Sequence, residues 1–254
     1  MKFEEAYVDL IDEEITIEDV ANIYKRDFLQ FQRLQEHLYC PECRTAQLAF
    51  VSSKVCYFRS FPNSEHIEDC SFRQSMMNKK ETKEFVSLPQ NIDVLKRQLK
   101  NLILRLHTSK VTSPKRHNIN SASNRRVEKN NLIVTLQKKT MCFPQKRIDL
   151  PLKEDDYDII KFFYGKVYCK WETDKEGEGY KLLVYTALHE RLRCRIHITG
   201  KVYKYLPDEF KFVGKRLCNL AFVAELKEEP SKTYCKTNLI HSGLFELYVV
   251  NNEG

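Results

Sequence analysis

Three cysteines and one histidine stand at a spacing that can do chemistry: Cys40, Cys43, His66 and Cys70, or C-x2-C-x22-H-x3-C. Cys40 and Cys43 bracket Pro41 and Glu42 in a short knuckle whose two thiolates can grip one side of a metal ion. The three-residue gap between His66 and Cys70 puts both side chains on one side of a helical turn. Three sulfurs and an imidazole suit a closed tetrahedral zinc site, which leaves no position for water. The spacing therefore predicts a structural zinc ion and a scaffold that binds something, not a metalloenzyme. His37 and Cys56 are close enough in sequence to stand in for one of the four.

A second chemistry is cationic. Residues 91–147 carry 14 Lys and Arg against Asp93 and Glu128, a sum of +12, while residues 1–90 sum to −5 and residues 148–254 balance. The positive excess behind the formal net charge of +7 thus lies in one stretch. That pattern predicts a polyanion-binding segment, with Lys96, Arg97, Lys115, Arg116, Arg125, Arg126, Lys138 and Lys139 as its candidate contacts. Further along, Arg191, Arg193, Arg195 and His197 alternate with Leu192, Cys194, Ile196 and Ile198. Lys166, Tyr168 and Lys170 alternate with Val167, Cys169 and Trp171. Period-two alternation places each set on one side of a sheet. One side is then a core and the other a cationic wall with tyrosine on it, continued by Lys201, Tyr203 and Tyr205. Phosphates call for Lys and Arg, and unstacked bases call for aromatic platforms. The partner this predicts is nucleic acid, single-stranded or structured, bound with steep salt dependence.

These groups need elements to position them. Thr16 and Asp19 look like a helix start, and Val20, Ile23, Tyr24, Phe28, Phe31 and Leu34 continue at helical spacing, predicting a helix over about 17–36. Between the ligand pairs, 47–51 and 55–59 read as a hairpin. Ile92, Leu95, Leu99, Leu102, Ile103 and Leu106 predict an amphipathic basic helix over about 91–108, followed by a polar linker to 131. Residues 132–136 read as a strand, and so do 159–172, 180–188, 191–205, 219–227 and 233–250, with a short helical element in 207–216. All seven glycines lie at or after Gly165, so the bulges of a curved sheet belong to the C-terminal third.

A knuckle, a hairpin and a second ligand pair resemble treble-clef-like fingers. The segment around Cys40-Pro41-Glu42-Cys43 and His66 also resembles the N-terminal zinc module of the CoiA competence family, with Cys70 where that family favours histidine. Three strands, a helix and two strands resemble the order of an OB-fold, which implies a small barrel binding single strands or oligosaccharides on the face of its middle strands. The expectation is an α+β protein: a helix and CCHC zinc module over 1–85, a basic helix and linker over 86–131, and an OB-like β-barrel over 132–254.

Other function classes fare worse. Glycine is absent before 165, so no phosphate-cradling loop precedes it, and His189, His197 and His241 have no nucleophile beside them in sequence. Pro207-Asp208 with Glu225-Leu226-Lys227 reproduces the PD-x16-ExK arrangement of restriction-type nucleases, in which Asp208 and Glu225 would hold Mg²⁺ and Lys227 would orient water. It leaves too little chain for the helix and strand which that fold adds afterwards. The other alternative is an adaptor whose acidic N-terminal helix and zinc module recruit a nuclease or helicase partner in a mobile-element or defence system. Nine cysteines, an odd number, favour reduced thiols over a disulfide framework, and Cys169, Cys194 and Cys218 read as small buried hydrophobes. No apolar run reaches the length of a membrane span, and the acidic first residues do not resemble a signal peptide, so a cytoplasmic location is expected.

Overall fold

The computed structural model describes residues 3–68, 70–108, 133–136, 139–173, 179–187, 190–229, 233–241 and 243–250. They divide into two compact units, one on residues 3–75 and the other on 76–107 and 134–250. The helix expected to open a separate basic segment thus belongs to the same unit as the large sheet. Among the described residues, no helix is long and apolar enough to cross a membrane.

The first unit begins with β1 (Glu5–Val8), β2 (Glu13–Thr16) and β3 (Leu38–Tyr39), in the order β2-β1-β3. Thr16 caps α1 (Ile17–Arg26), its hydroxyl accepting from Asp19 N at 3.2 Å. The single helix expected over 17–36 is in fact two. Asp27, at φ −142°, leaves the helical region, and its carboxylate accepts from Gln30 N at 2.9 Å to start α2 (Phe28–Gln35). A short acidic side chain that competes for backbone donors favours such a restart over continuation. The expected hairpin forms from β4 (Leu48–Val51) and β5 (Tyr57–Ser60). The core gathers Phe3, Val8, Val20, Phe31, Leu38, Leu48 and Phe58, with Cys40 and Cys70 buried among them.

In the second unit, Asn78 and Glu81 form a capping box at the start of α3 (Lys79–Ser87). α4 (Ile92–Thr108) follows, its Leu95, Leu99, Leu102 and Ile103 buried as the helical spacing requires. β6 (Ile133–Leu136) and β7 (Lys139–Cys142) form a two-stranded ribbon. The main sheet then takes β8 (Gln145–Arg147), β9 (Ile160–Thr173), β10 (Gly179–Thr186) and β11 (Leu192–Thr199). After α5 (Gly200–Lys204) it adds β12 (Lys215–Glu225), β13 (Lys227–Glu228), β14 (Cys235–Asn238) and β15 (Phe245–Val249). Its order is β13-β14-β11-β10-β9-β12-β15, with β8 beside β9. β8 runs parallel to β9 and β14 parallel to β11, and the other pairs are antiparallel.

This is a mixed α/β architecture with a large sheet and few helices. The closed barrel expected over 132–254 is not found among the described residues. β15 occupies the second edge of β12 along Cys218–Phe222, and β14, paired with β11 on one side, meets only the short β13 on the other. The element order also differs from the expected one. The strand expected to run to 205 stops at Thr199, whose hydroxyl accepts from Val202 N at 3.4 Å and caps α5. The helical element expected in 207–216 is only a 3-10 turn at Asp208–Phe210. The strand expected over 233–250 is two, β14 and β15.

One face of the sheet buries Val167, Cys169, Leu182, Val184, Cys194, Ile196, Leu220 and Leu226 in a single core. Gly165 sits inside β9, where a Cβ would meet Asp149 Oδ1 at 2.8 Å, so the close approach of this carboxylate requires glycine. A charged group is also buried at the base of β9. Asp156 accepts from Lys161 Nζ at 2.7 Å and lies 3.4 Å from Lys146 Nζ, with all three side chains largely out of water.

Candidate metal centre and cationic sheet face

The four ligand candidates are drawn together by three separate elements. Cys40 follows β3, and the chain then turns sharply: Arg44 N donates to Cys40 O at 2.9 Å, and Cys40 N to Ala46 O at 2.8 Å. The turn needs a left-handed residue, and Arg44 supplies it at φ 54°. From the far side, Ser60 at the end of β5 faces His66, with Ser60 Oγ and His66 Nε2 3.0 Å apart. The His66 ring also stacks on Phe3, centroids 5.8 Å apart. His66 and Cys70 do not share the helical turn expected of them. A single reverse turn, with Cys70 N donating to Ile67 O at 3.1 Å, brings Cys70 round. Glu42, between the first two cysteines, accepts from Ser71 N at 2.7 Å and from the Ser71 hydroxyl, tying the second ligand arm to the knuckle.

The resulting ligand atoms all lie within 4.8 Å of one another. Cys40 Sγ is 3.8 Å from Cys70 Sγ, and His66 Nδ1 is 3.5 Å from Cys43 Sγ and 3.3 Å from Cys70 Sγ. Metal–sulfur bonds of about 2.3 Å and a metal–nitrogen bond of about 2.0 Å at a tetrahedral centre separate sulfurs by about 3.8 Å and sulfur from nitrogen by about 3.5 Å. The cluster fits a metal ion on that measure and on its donor set. With Nδ1 bound to an ion, Nε2 would carry the proton and donate to Ser60, the outer hydrogen bond that commonly fixes a ligating imidazole. The thiols are also unequal as acids. Hydrogen bonds from Cys40 and Cys70, helped by backbone N–H groups of Ala46 and Thr45, hold Cys43 far below the usual thiol range. The bond to Cys43 pushes Cys40 up to about 12, and bonds to Cys40 and Cys43 also raise Cys70. The alternative ligands are engaged elsewhere: His37 Nδ1 pairs with Asp9 at 2.7 Å, and Cys56 Sγ points to Ser53 O at 3.8 Å. Among the described residues, this is the cluster of three or more Cys, His, Asp and Glu groups that could hold a metal ion.

The cationic candidates divide differently. Arg193, Arg195 and His197 are half-buried on one side of β11, and Cys194, Ile196 and Ile198 are buried on the other. Arg191 is exposed just before the strand, its N donating to Thr186 Oγ1 at 3.2 Å. A bulge between Val184 and Tyr185 pairs Tyr185 with Leu192 and leaves Arg193 as the extra residue. On β9, Lys166, Tyr168 and Lys170 share the outer side. Tyr203 does not join them. It lies on α5, stacked on Tyr180 at 3.5 Å and edge-on to Trp171 at 5.0 Å, against the core. Lys96 and Arg97 lie on α4, where Lys96 pairs with Asp93 at 3.5 Å and Arg97 is exposed. Lys115, Arg116, Arg125, Arg126 and Lys138 lie outside the described residues. Lys139 opens β7.

Strand register reveals a feature that the sequence could not, because it depends on which strands are neighbours. Lys215 pairs with Lys170, Lys170 with Leu183, Leu183 with Arg195, Arg195 with Lys236, and Lys236 with Lys227. Five cations therefore stand in one row across six strands. At roughly 4.8 Å per strand the row is about 24 Å long. Four of them have an acidic neighbour: Lys170 with Glu172 at 3.0 Å, Lys215 with Glu190 at 2.5 Å, Lys236 with Glu229 at 3.0 Å and Lys227 with Asp158 at 3.8 Å. Arg195 instead lies over the Tyr234 ring at 4.4 Å, and its Nε is buried with no hydrogen-bond partner among the described residues.

The nuclease-like residues are placed apart in their interactions. Asp208 is 98% exposed and pairs with Lys211, Glu225 pairs with Lys83 at 3.8 Å, and Lys227 with Asp158. Comparison of the chain with family models, with curated proteins and with solved structures returns no match, so the geometry above carries the functional argument alone.

Proposed function

We propose that this protein binds single-stranded or structured nucleic acid across the outer face of its large sheet, and that the Cys3His cluster holds a structural zinc ion. The observation that carries the reading is the row Lys215, Lys170, Arg195, Lys236 and Lys227. Like charges opposite one another across strands repel, so a row of them favours an anion lying over it. Its pairs with Glu172, Glu190 and Asp158 are exposed, each worth at most about 1 kcal/mol, and phosphates can replace them. Tyr168 and Tyr185 sit opposite each other one step along the same face and offer ring surface to unstacked bases.

The strand plan supports an OB-type relationship. A three-strand meander, a short helix, a return strand pairing with the first, and β14 parallel to the third resemble the connections of that fold, with β15 added after them on the far edge of β12. Only Leu226 separates β12 from β13. Zinc is the ion that best suits three thiolates and one imidazole, with every position filled. The ion would cross-link the knuckle, the end of the hairpin and the Cys70 arm, and the chain's own residues do the rest. Ser60 and Phe3 orient the imidazole, and Glu42 fixes the arm. The deciding experiment is a salt-titrated binding assay with single-stranded DNA, single-stranded RNA and duplex probes. Single strands bound with a linear log–log salt dependence support the reading. No binding at low salt to any probe refutes it.

A protein-adaptor role is favoured by one other observation. The first unit exposes Leu10 at 60%, Ile11 at 57%, Phe28 at 54% and Leu29 at 72%. Paired exposed apolar residues of this size suit contact with a protein partner.

A further inference from the structure

Beside the bulge of β11 lies a cavity of about 260 Å3, lined by Leu152, Tyr157, Arg193, Glu228, Tyr234 and Cys235 among others. Sites for drug-sized ligands run to about 300–1,000 Å3, so this one takes a fragment no larger than a single base or phosphate. Its chemistry separates those two. Arg193 contributes a guanidinium whose Nε is buried and has no hydrogen-bond partner among the described residues. Glu228, also in the lining, contributes an acidic residue. A phosphate would meet both charges and be repelled by one of them. A neutral ring with acceptors along one edge and N–H donors along the next meets both favourably. Tyr157 and Tyr234 supply ring surface. Burial, with the nearby Cys235 and Glu228, holds the Tyr157 phenol above its usual value, so it remains a hydroxyl donor. The position is also apt. Tyr234 is the ring under Arg195, Glu228 follows Lys227, and Cys235 precedes Lys236, so the cavity adjoins the end of the cation row.

We propose that this cavity receives one unstacked guanine from a strand lying along the row, Arg193 donating to its O6/N7 edge and Glu228 accepting from N1–H and the 2-amino group. Guanine is the base whose acceptor pair suits an arginine fork and whose adjacent donor pair suits both oxygens of a carboxylate. Extruded bases are generally read by such edge contacts together with stacking. The inference rests on the nucleic-acid reading above, and it adds a base preference to a face that would otherwise bind any sequence.

The test uses the full chain and fluorescence anisotropy at fixed salt. The probes are a short oligothymidylate and the same oligomer with one central dG, dA or dC. The expected result is about tenfold tighter binding of the dG probe than of the other three, in line with one good edge contact. Glu228→Gln and Arg193→Lys should each bring the dG probe back to the level of the others, with unchanged melting temperature confirming that they fold. Equal binding of all four probes overturns the guanine pocket and leaves the nucleic-acid reading standing. Binding of none of them defeats that reading first. Calorimetry with free guanosine, adenosine and cytidine monophosphates and with inorganic phosphate then decides the cavity. Preference for guanosine monophosphate upholds the pocket, and equal uptake of all four ligands, or of none, overturns it.

Discussion

Consider replacing Lys170, Arg195 and Lys236 together by glutamine. All three lie in one cross-strand row on the outer face, so the change removes the middle of the row without touching the core beneath. Each cation that neutralises a phosphate of a single strand contributes about −0.7 to the slope of log K against log salt. Three such contacts make the slope shallower by about 2. Over the fourfold rise from about 50 to 200 mM salt, the original protein should then lose about 20 times more affinity than the variant. At low salt the variant should also bind more weakly, because Glu172, relieved of its lysine, now faces the phosphates. Stability should fall by no more than about 2 kcal/mol, since the two lysine pairs are worth less than about 1 kcal/mol each and Arg195 gives up one contact over the Tyr234 ring. The assay is fluorescence anisotropy with a labelled oligothymidylate at four or more salt concentrations. A control triple of Lys25, Lys54 and Lys80, exposed and off the row, should keep the original slope. If the row variant retains that slope within a few tenths, the row does not contact phosphate and the argument for the sheet face fails.

Three other perturbations test the scaffold. Elemental analysis should find one equivalent of zinc, and Cys70→Ser or a strong chelator should remove it. Structural zinc contributes about 10–16 kcal/mol in small domains, so hydrogen exchange should then show the amides of β4 and β5 losing protection while those of β9 keep theirs. Equal protection with and without metal would show that the ion is not structural. Asp156→Asn leaves Lys146 and Lys161 buried without their shared carboxylate, which should cost about 3–5 kcal/mol and lower the melting temperature of the second unit by about 10 °C. Burial alone would raise the Asp156 carboxyl, but Lys146, Lys161 and the Lys153 amide hold it below its ordinary value. The stability it contributes is therefore complete above the unfolded carboxylate value of about 3.9 and is lost as pH falls through its lower folded value. The asparagine variant should lack that part of the acid unfolding limb in calorimetric melts at stepped pH. At Arg44, φ 54° costs a side chain about 1 kcal/mol relative to glycine, while its contacts with Asp12 at 3.3 Å and the Tyr7 ring at 4.2 Å return a similar amount. Arg44→Gly should therefore change stability by less than about 1 kcal/mol and Arg44→Val should cost about 2 or more, as read by urea denaturation.

The metal cluster was legible because its signal is local: ligand types and spacings in one chain segment narrow the geometry before any fold is known. The turn that brings Cys70 to His66 was misjudged as helical because an i, i+4 spacing is compatible with both, and the choice was made elsewhere, by Glu42 reaching across to Ser71. Strands over 160–173 and 179–186 declared themselves through alternation and apolar length. The end of β11 did not, because Lys201 and Tyr203 continue the strand-like composition while Thr199 caps a helix. The two-helix break at Asp27 is set by an acidic residue that falls on the apolar stripe, and the spacing of the apolar residues alone does not register it. Closure of the sheet is a long-range property. It depends on which strand takes the free edge of β12, and nothing local in Phe245–Val249 says that it will be β15.

The cation row belongs to the same class of information. Lys170, Arg195, Lys215, Lys227 and Lys236 are scattered over 67 positions, and only Arg195 and Lys170 stand out in sequence as members of an alternating face. The run with the largest charge excess, 91–147, drew attention first, yet the cations of α4 that the structure describes flank a buried apolar stripe, and Lys96 is partnered by Asp93. Composition measures charge per residue of chain, whereas a polyanion responds to charge per ångström of surface. Folding converts one into the other: adjacent strands bring residues from distant positions to within about 5 Å, closer than neighbouring like-facing residues along one strand. A segment of modest net charge can thereby present a denser line of cations than a basic run does. On the proposed reading, the Cys3His cluster, acidic in its surroundings and remote from that line in sequence, would hold its own unit together while the sheet would carry recognition.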